Sequence, residues 1–241
     1  MLNRETSKPL YAQARDILLE RIESEEYLPN TKIPSESELC AEFGISRMTV
    51  RSVITELVRD GRLYRIQGKG TFVAEPKIMT SGTGYVGIRE QLEKQGYEVK
   101  TEVVEFSSLS CPPSLAKKME LSPGEMVYKL IRLRSVRDEP FSMHTSYIPL
   151  SRCPELDKKD VCSEQLCAVL DEEYGLKRAS VSETLESALA TESEAKFLGI
   201  KRGYPLILLR DKIYDADGRI FEYSSVVFRG DKMKIHLEYN S

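Results

Sequence analysis

Three stretches near the start of the chain decide its first fold: Lys32-Ile-Pro-Ser-Glu-Ser-Glu-Leu39, Gly44-Ile-Ser-Arg-Met-Thr-Val-Arg51 and Gly68-Lys-Gly-Thr-Phe-Val73. In the first, a serine followed three residues later by glutamate forms a capping box, which predicts the start of a short helix. In the second, a glycine ends that helix and a serine caps the next. In the third, a Gly-Lys-Gly tip before a short apolar run predicts a β-hairpin.

The residues around these stretches complete the pattern. Apolar residues at helical spacing run from Leu10 to Ile22 after Pro9, and again from Val50 to Val58 before Gly61. The runs 63–66 and 71–73 have the composition of two short strands. Helix, glycine turn, helix and hairpin is the order of a winged helix-turn-helix, whose later helix enters the major groove of DNA.

The charge of this region supports a nucleic-acid partner. The whole chain has a formal net charge of −3, yet residues 43–73 contain six basic and only two acidic side chains. Arg47, Thr49 and Arg51 lie on or beside the outer face of the later helix, and such side chains contact phosphates and base edges. The alternative is a surface hairpin whose charges are merely solvated, but the pattern favours DNA binding.

Together the three stretches resemble the DNA-binding domain of the GntR family of regulators. The matching patterns are P-S-E-x-E-L, G-[IV]-S-R-x-T-V-R and G-x-G-T-F-V. The resemblance implies a domain over residues 1–76 and operator contacts from the matched positions, which are Ser35, Ser46, Arg47, Thr49, Arg51, Gly68, Lys69 and Gly70. Many members carry a DNA-contacting arginine at the position of Ser37, so that contact is expected to be weaker or absent here.

The rest of the chain contains an internal repeat. Residues 77–84 are small and polar and are expected to form a linker. The segment 116–134, with the strand 141–148, is echoed about 79 residues later by the segment 195–210, with the strand 220–228. Each copy is predicted to be helix, strand, turn and strand. Two copies indicate an α+β domain, a pseudo-symmetric antiparallel sheet with helices packed against it.

This second part, residues 85–241, resembles the UTRA effector-binding domain of the HutC subgroup, which has a chorismate-lyase-like fold. The stretches that carry the resemblance are Tyr128–Arg134, Ser146–Pro149, Leu198–Ile200, Phe221–Val226 and Phe228–Asp231. It implies a ligand-responsive regulator, usually a repressor, that binds a two-fold-symmetric DNA operator as a homodimer.

Candidate effector-binding residues lie on the predicted strands. Arg132 and Arg134 share a strand face, so they form an anion site if they point inward or face water if they do not. In UTRA relatives that bind sugar phosphates, the matched positions hold the anion. Glu222 could accept hydrogen bonds from a polyol or ammonium group or could neutralise an arginine. His144 and Phe228 complete the expected set, and the effector is expected to be a small, anionic, polar metabolite.

Three departures from the relatives bear on this pocket. His144 replaces a common glutamate and introduces a group expected to titrate near neutrality. The segment 84–88, which includes Gly87, lacks the hydroxyl-bearing loop of relatives that bind amino-sugar phosphates. Cys167 stands where relatives often have tyrosine. Together these departures indicate a different effector or a reshaped pocket.

Several classes of protein are disfavoured by the sequence. No apolar run approaches the roughly 20 residues of a membrane span, and no signal peptide is apparent, so a cytoplasmic protein is expected. Five scattered cysteines and two histidines give no metal or disulfide pattern, so the cysteines are expected to be small buried residues. No nucleophile–base pair is apparent, so neither enzymatic activity nor a cofactor is expected. The competing hypotheses are catalysis by the C-terminal domain and constitutive DNA binding without an effector.

Overall fold

The computed structural model describes residues 2–81, 87–162 and 165–236, and the chain divides into two compact units, residues 1–77 and 78–241. The expected linker, residues 77–84, is therefore only partly a connection. It contributes the strand Ile78–Ser81 to the second unit, and residues 82–84 lie outside the described residues.

The first unit is built from helices followed by a hairpin: α1 (Leu10–Glu23), α2 (Glu36–Phe43), α3 (Arg47–Arg59), β1 (Leu63–Ile66) and β2 (Gly70–Val73). The predicted capping box is present, because the Ser35 hydroxyl accepts from the Glu38 amide and the Glu38 carboxylate accepts from the Ser35 amide at 2.7 Å. Gly44 ends α2 with a left-handed φ of 64°, a conformation that glycine adopts without steric cost. The winged helix-turn-helix is thus confirmed.

A single core holds this unit together. Leu18, Leu39 and Leu57 bring the apolar faces of the helices together, and Leu63 and Val73 add the hairpin to them. All five side chains are almost completely buried, and each contributes about 1.5–3 kcal/mol through loss of contact with water. The packing therefore fixes the hairpin beside α3.

The second unit contains a further set of helices and strands: β3 (Ile78–Ser81), α4 (Ile88–Lys94), β4 (Val99–Ser110), α5 (Pro113–Met119), β5 (Met126–Val136), β6 (Glu139–Pro149), α6 (Leu166–Tyr174), β7 (Ser180–Leu189), α7 (Glu192–Leu198), β8 (Pro205–Tyr214), β9 (Ile220–Arg229) and β10 (Met233–His236). Short 3₁₀ turns, Leu150–Arg152 and Leu156–Lys158, follow β6.

The main sheet has the strand order β4-β5-β6-β9-β8-β7, and every pairing in it is antiparallel. Its two halves correspond to the two copies of the repeat, which meet where β6 pairs with β9. The predicted repeat is confirmed but incomplete, because a long strand, β4 or β7, precedes the helix in each copy. A separate small sheet pairs β3 with β10 in parallel.

Helices cover both faces of the main sheet. On one face, α5 packs on Val127 and Tyr223, and α7 packs on Leu206 and Val227. On the other face, α4 and α6 take part in two apolar clusters that include residues from the strands. None of the helices in the described ranges is long and apolar enough to span a membrane.

Candidate functional site

The outer face of α3 is a polar surface that its N-cap shapes. Ser46 caps the helix by accepting from the Thr49 amide at 3.2 Å, and the two hydroxyls are 2.8 Å apart. Arg47, Met48 and Arg51 are exposed. The residues predicted to contact DNA on this helix therefore lie on one accessible surface, at a helix end whose free amides favour phosphate.

A carboxylate that the sequence argument missed organises these arginines. Glu36 accepts from Arg51 Nη2 at 3.1 Å and from Arg47 Nε at 3.3 Å, and Arg65 from β1 lies 4.0 Å from it. Hydrogen bonds from Arg51 and Arg47 lower the pKa of Glu36, so it is ionised at neutral pH. The signal was available, since Glu36 is the acidic residue of the P-S-E stretch.

The hairpin presents a basic tip beside this surface. Lys69 is exposed, and Gly68 has a positive φ of 76°. Gly70 has a φ of 132°, and a Cβ there would come within 2.5 Å of the Lys32 side chain, so this glycine lets the lysine lie across the hairpin. Arg65 donates to Thr55 of α3 at 3.2 Å and thereby joins the hairpin to the helix.

Two serines before and within α2 have different surroundings. The Ser35 hydroxyl is engaged in the capping box described above, so its first role is to start the helix. Ser37, the departure from the arginine of many relatives, is exposed on the first turn of α2. Its side chain is shorter than the arginine of those relatives, so a weaker or absent DNA contact remains the expectation at this position.

The second unit contains a cavity of about 90 Å³ over the main sheet, at the start of α4 and α6. One water needs roughly 10–15 Å³, so this space admits a larger polar group. A second cavity of about 400 Å³ shares several lining residues with it. Four predicted effector-binding residues line the smaller cavity: Arg132, Arg134, His144 and Glu222.

The two arginines point inward and not to water. Arg132 and Arg134 are 5% and 7% exposed, and the Nε of each has no hydrogen-bond partner among the described residues. Burial lowers the pKa of Arg132, and burial together with repulsion from Arg132 and Arg89 lowers the pKa of Arg134 to about 9. Both guanidiniums remain protonated at neutral pH, so the cavity offers positive charge and unused donors to an anion.

His144 behaves differently from the expectation. Burial and the neighbouring Arg134 and Arg132 hold its pKa well below the ordinary value of 6.5, so the prediction of titration near neutrality is wrong. Its Nε2 lies 2.9 Å from the hydroxyl of Ser142, and its ring meets Phe228 edge-on with centroids 6.0 Å apart. In a site this positive, a neutral imidazole is the favoured form.

Phe228 lies behind the cavity and does not belong to its described lining. Its side chain is fully buried and packs edge-on against Phe141. It lies on the same face of β9 as Glu222, but it is further along the strand and packs in the apolar cluster that includes α4. We therefore correct the prediction of a direct contact with the effector. Phe228 instead packs against His144, which lines the cavity.

Carboxylates form the opposite side of the cavity. Glu222 accepts from Ser146 at 2.7 Å, and Ser146 is also 3.5 Å from Arg132 Nη2, so Glu222 takes part in a network with the arginine. Asp211, which the sequence argument missed, lines the same cavity on β8 and accepts from Ser224 at 3.1 Å. Strand alternation with Ile207, Leu209 and Ile213 would have placed Asp211 on an otherwise apolar face of β8.

The remaining departures also line the cavity. Gly87 and Cys167 both border it.

The cysteines are all free, but only Cys111 and Cys153 are buried. The expectation of uniformly buried cysteines is therefore wrong, most clearly for the exposed Cys167. Within the described ranges, no group of His, Cys, Asp or Glu side chains is arranged to hold a metal ion.

Comparisons with known proteins agree with both units. Residues 10–73 match the model of the bacterial regulatory proteins of the gntR family, and residues 94–234 match the UTRA domain. The HTH-type transcriptional repressor NagR of Bacillus subtilis (strain 168) is 30% identical, over 96% of this chain and 95% of that protein. The "Probable fructoselysine utilization operon transcriptional repressor" of Escherichia coli (strain K12) is 31% identical, over 95% and 94%.

A solved structure shows the same architecture. The crystal structure of PhnF from Mycobacterium smegmatis matches with a TM-score of 0.68 at 27% identity, covering 95% of this chain and 99% of that one. The chain therefore belongs to the GntR family of bacterial regulatory proteins, in the HutC subgroup with a UTRA domain, and it is a DNA-binding transcriptional repressor controlled by a small-molecule effector.

Proposed function

We propose that the controlling effector is a small anion, bound in the cavity by Arg132 and Arg134. The observation that carries this proposal is a pair of buried guanidiniums whose Nε donors have no partner among the described residues. A buried charge without full pairing costs free energy, and an anionic ligand removes much of that cost. Phosphate and carboxylate groups both match guanidinium geometry.

The DNA-binding surface of this proposal consists of the α3 face and the hairpin tip, namely Ser46, Arg47, Thr49, Arg51, Gly68, Lys69 and Gly70, with Ser35 at the start of α2. Glu36 holds two of these arginines in place before DNA binds. On the operator, both arginines would exchange part of this ion pairing for contacts to phosphates or bases. Exposed ion pairs are weak, so this exchange costs little.

The repressor would act as a homodimer on a two-fold-symmetric operator in the cytoplasm. Helix-turn-helix proteins read two half-sites about one helical turn apart, so the separation of two α3 helices decides operator affinity. Effector binding would change that separation and thereby the affinity. The names of NagR and of the fructoselysine relative both describe repressors, which supports repression as the sign of control.

Catalysis by the second unit is the weaker alternative. Ser142 and His144 do form a buried hydrogen-bonded pair, which the sequence argument had not foreseen. Ser142 is fully buried and is not part of the described cavity lining, so a substrate in the cavity would not reach its hydroxyl. The low pKa of His144 also leaves it a weak base.

Thermal denaturation against a panel of sugar phosphates, organic acids and amino acids tests the anion proposal. A ligand at 100 times its dissociation constant adds about 2.7 kcal/mol of stability. We expect an anion to stabilise the native protein, and we expect no stabilisation of Arg132→Met. Arg202→Met is the matched control because Arg202 is exposed and lies outside the described cavity lining.

Two results would contradict the proposal. If no anion in a broad panel stabilises the native protein, the controlling effector is not an anion of these classes. If an anion stabilises Arg132→Met as much as the native protein and Arg202→Met, the binding site lies elsewhere. Turnover of a panel compound by the purified protein would instead support catalysis.

A further inference from the structure

The cavity contains a buried acceptor that an anion alone would leave unused. Asp211 is 7% exposed, and its Oδ1 has no hydrogen-bond partner among the described residues. Its other oxygen, Oδ2, accepts from the Ser224 hydroxyl at 3.1 Å. A buried carboxylate oxygen without a donor is costly, so a ligand that supplies a donor gains affinity at this point.

Asp211 is also placed on the side of the cavity opposite the arginines. The arginines lie on β5, whereas Asp211 lies on β8, with β6 and β9 between them. Asp211 pairs across the sheet with Ser224, which in turn pairs with Ser146. The short hydroxyl side chains of Ser146 and Ser224 therefore lie between the β5 arginines and Asp211, and Arg178 also lines the cavity.

Glu222 strengthens the negative side. It is 6% exposed, lines the same cavity and lies one register step from Ser224 on the same face of β9. Its Oε1 accepts from the Ser146 hydroxyl at 2.7 Å, and no side-chain donor to its Oε2 is found among the described residues. Two carboxyl groups in one small cavity favour a ligand group that carries positive charge or several N–H donors.

Resting on the anion site proposed above, we propose that Asp211, assisted by Glu222, forms a second subsite for an ammonium or similar N–H donor, so that the effector carries an anion and an amine on one small molecule. The expected effectors are amino phosphates and amino acids, and their hydroxy analogues are expected to bind more weakly. A charge-assisted hydrogen bond to a buried carboxylate discriminates strongly against a ligand without the donor.

The protonation of Asp211 gives this subsite a measurable signature. Burial, together with Glu183 on β7 and Glu222 on β9, raises the pKa of Asp211 to about 7, while Ser224 and Arg178 act in the opposite direction. An ammonium group binds the ionised form, so its binding releases a proton from Asp211. The affinity for an amine should therefore increase as the pH rises from 6 to 8.

Matched pairs of compounds isolate this effect. The pairs are O-phosphoserine with 3-phosphoglycerate, phosphoethanolamine with 2-hydroxyethyl phosphate, and glucosamine 6-phosphate with glucose 6-phosphate. Within each pair the anion is the same and an amine replaces a hydroxyl. We expect calorimetry on the native full-length protein to show at least tenfold tighter binding of the amine for any pair that binds. For O-phosphoserine and phosphoethanolamine, whose amines stay protonated over this range, we expect that preference to increase about tenfold between pH 6 and 8.

The variant Asp211→Asn should lose the preference for the amine and its pH dependence, while it binds the hydroxy compound as the native protein does. Asp217→Asn is the matched control, because Asp217 is exposed in the turn after β8. If Asp211→Asn does not fold, the pH dependence of the native preference decides the question without it.

The outcomes separate the two proposals. Equal binding of amine and hydroxy compounds, or a preference that persists in Asp211→Asn, contradicts the second subsite but leaves the anion site intact. If neither member of any pair binds and Arg132→Met behaves as the native protein toward the whole panel, both the anion site and the subsite that rests on it are wrong.

Discussion

Replacing Arg134 with methionine removes a charged group from a place where the fold gives it little compensation. Burial and repulsion lower its pKa from 12.5 to about 9. At 1.36 kcal/mol per unit, that difference corresponds to a cost on the order of 5 kcal/mol for the charged side chain at neutral pH. Apolar replacements of buried ionic groups have stabilised other proteins by about 1–4 kcal/mol. We therefore expect Arg134→Met to increase the free energy of unfolding by about 1–4 kcal/mol without ligand.

The pH dependence of this gain has a defined sign. The folded pKa of Arg134 lies below its unfolded value, so the cost of the charge is complete below pH 9 and is relieved as the pH rises from 9 toward 12.5. Between pH 6 and 8 the variant should therefore exceed the native protein in stability by a nearly constant amount, because the charge of Arg134 does not change there.

Urea denaturation, monitored by circular dichroism and by tyrosine fluorescence, measures the difference in the free energy of unfolding. Tyrosine is the fluorophore because the chain has 12 tyrosines and no tryptophan. Arg202→Met controls for the substitution itself, and its stability should stay within about 0.5 kcal/mol of native. A decrease of more than 1 kcal/mol in Arg134→Met would refute the reasoning, because it would mean that the guanidinium is well paired within the fold.

Three further predictions concern caps, charges and protons. Ser46→Ala should lower stability by about 0.5–2 kcal/mol in thermal melting, because the Thr49 amide loses its acceptor; unchanged melting would show that this cap is not needed. Arg51→Ala should weaken binding to operator DNA and reduce the salt slope by about one, whereas Arg59→Ala, at the far end of α3, should not; equal losses would contradict a specific role. Asp211 has a folded pKa of about 7 against an ordinary 3.8. Because the folded state keeps this proton to a higher pH than the unfolded state does, the native protein loses stability as the pH rises from about 4 through 7. Asp211→Asn should accordingly be more stable than native at pH 8, by up to about 4 kcal/mol in urea denaturation, and less so at pH 5; parallel stability profiles would contradict the raised pKa.

The N-terminal fold was predictable because its determinants are local. The capping box at Ser35, the left-handed turn at Gly44 and the apolar face of α3 are each decided within a few residues. The ion pairs of Glu36 with the arginines of α3 were less accessible. They join residues 11 and 15 positions apart, and their geometry depends on how α2 packs against α3.

The second unit was predictable only in its repeat. Strands β5, β6, β8 and β9 are apolar on at least one face and have clear turns, whereas the edge strands β4 and β7 are largely polar or exposed and give no strong alternation. The pairing of β3 with β10 joins segments more than 150 residues apart, so no local pattern could show that the expected linker is partly a strand. Whether such segments form strands depends on pairing with distant parts of the chain.

The cavity shows the same division. Strand alternation correctly placed Arg132 and Arg134 on one face, but only the packing of α4 and α6 decides that this face is buried. The same burial overturned the expected titration of His144 and placed Phe228 in the apolar core. Asp211 was hidden in the run from Ile207 to Tyr214, where one polar residue faces the cavity from an otherwise apolar strand face.

The most direct test of the central claim is the effect of a bound anion on operator affinity. The purified protein first selects its operator from random duplex DNA, and fluorescence anisotropy then measures the Kd with and without the anion that stabilises the protein most. We predict a change of at least fivefold for the native protein and for Arg202→Met, and no change for Arg132→Met or Arg134→Met. An unchanged Kd with the anion fully bound, or a change that persists without the arginines, would contradict the account.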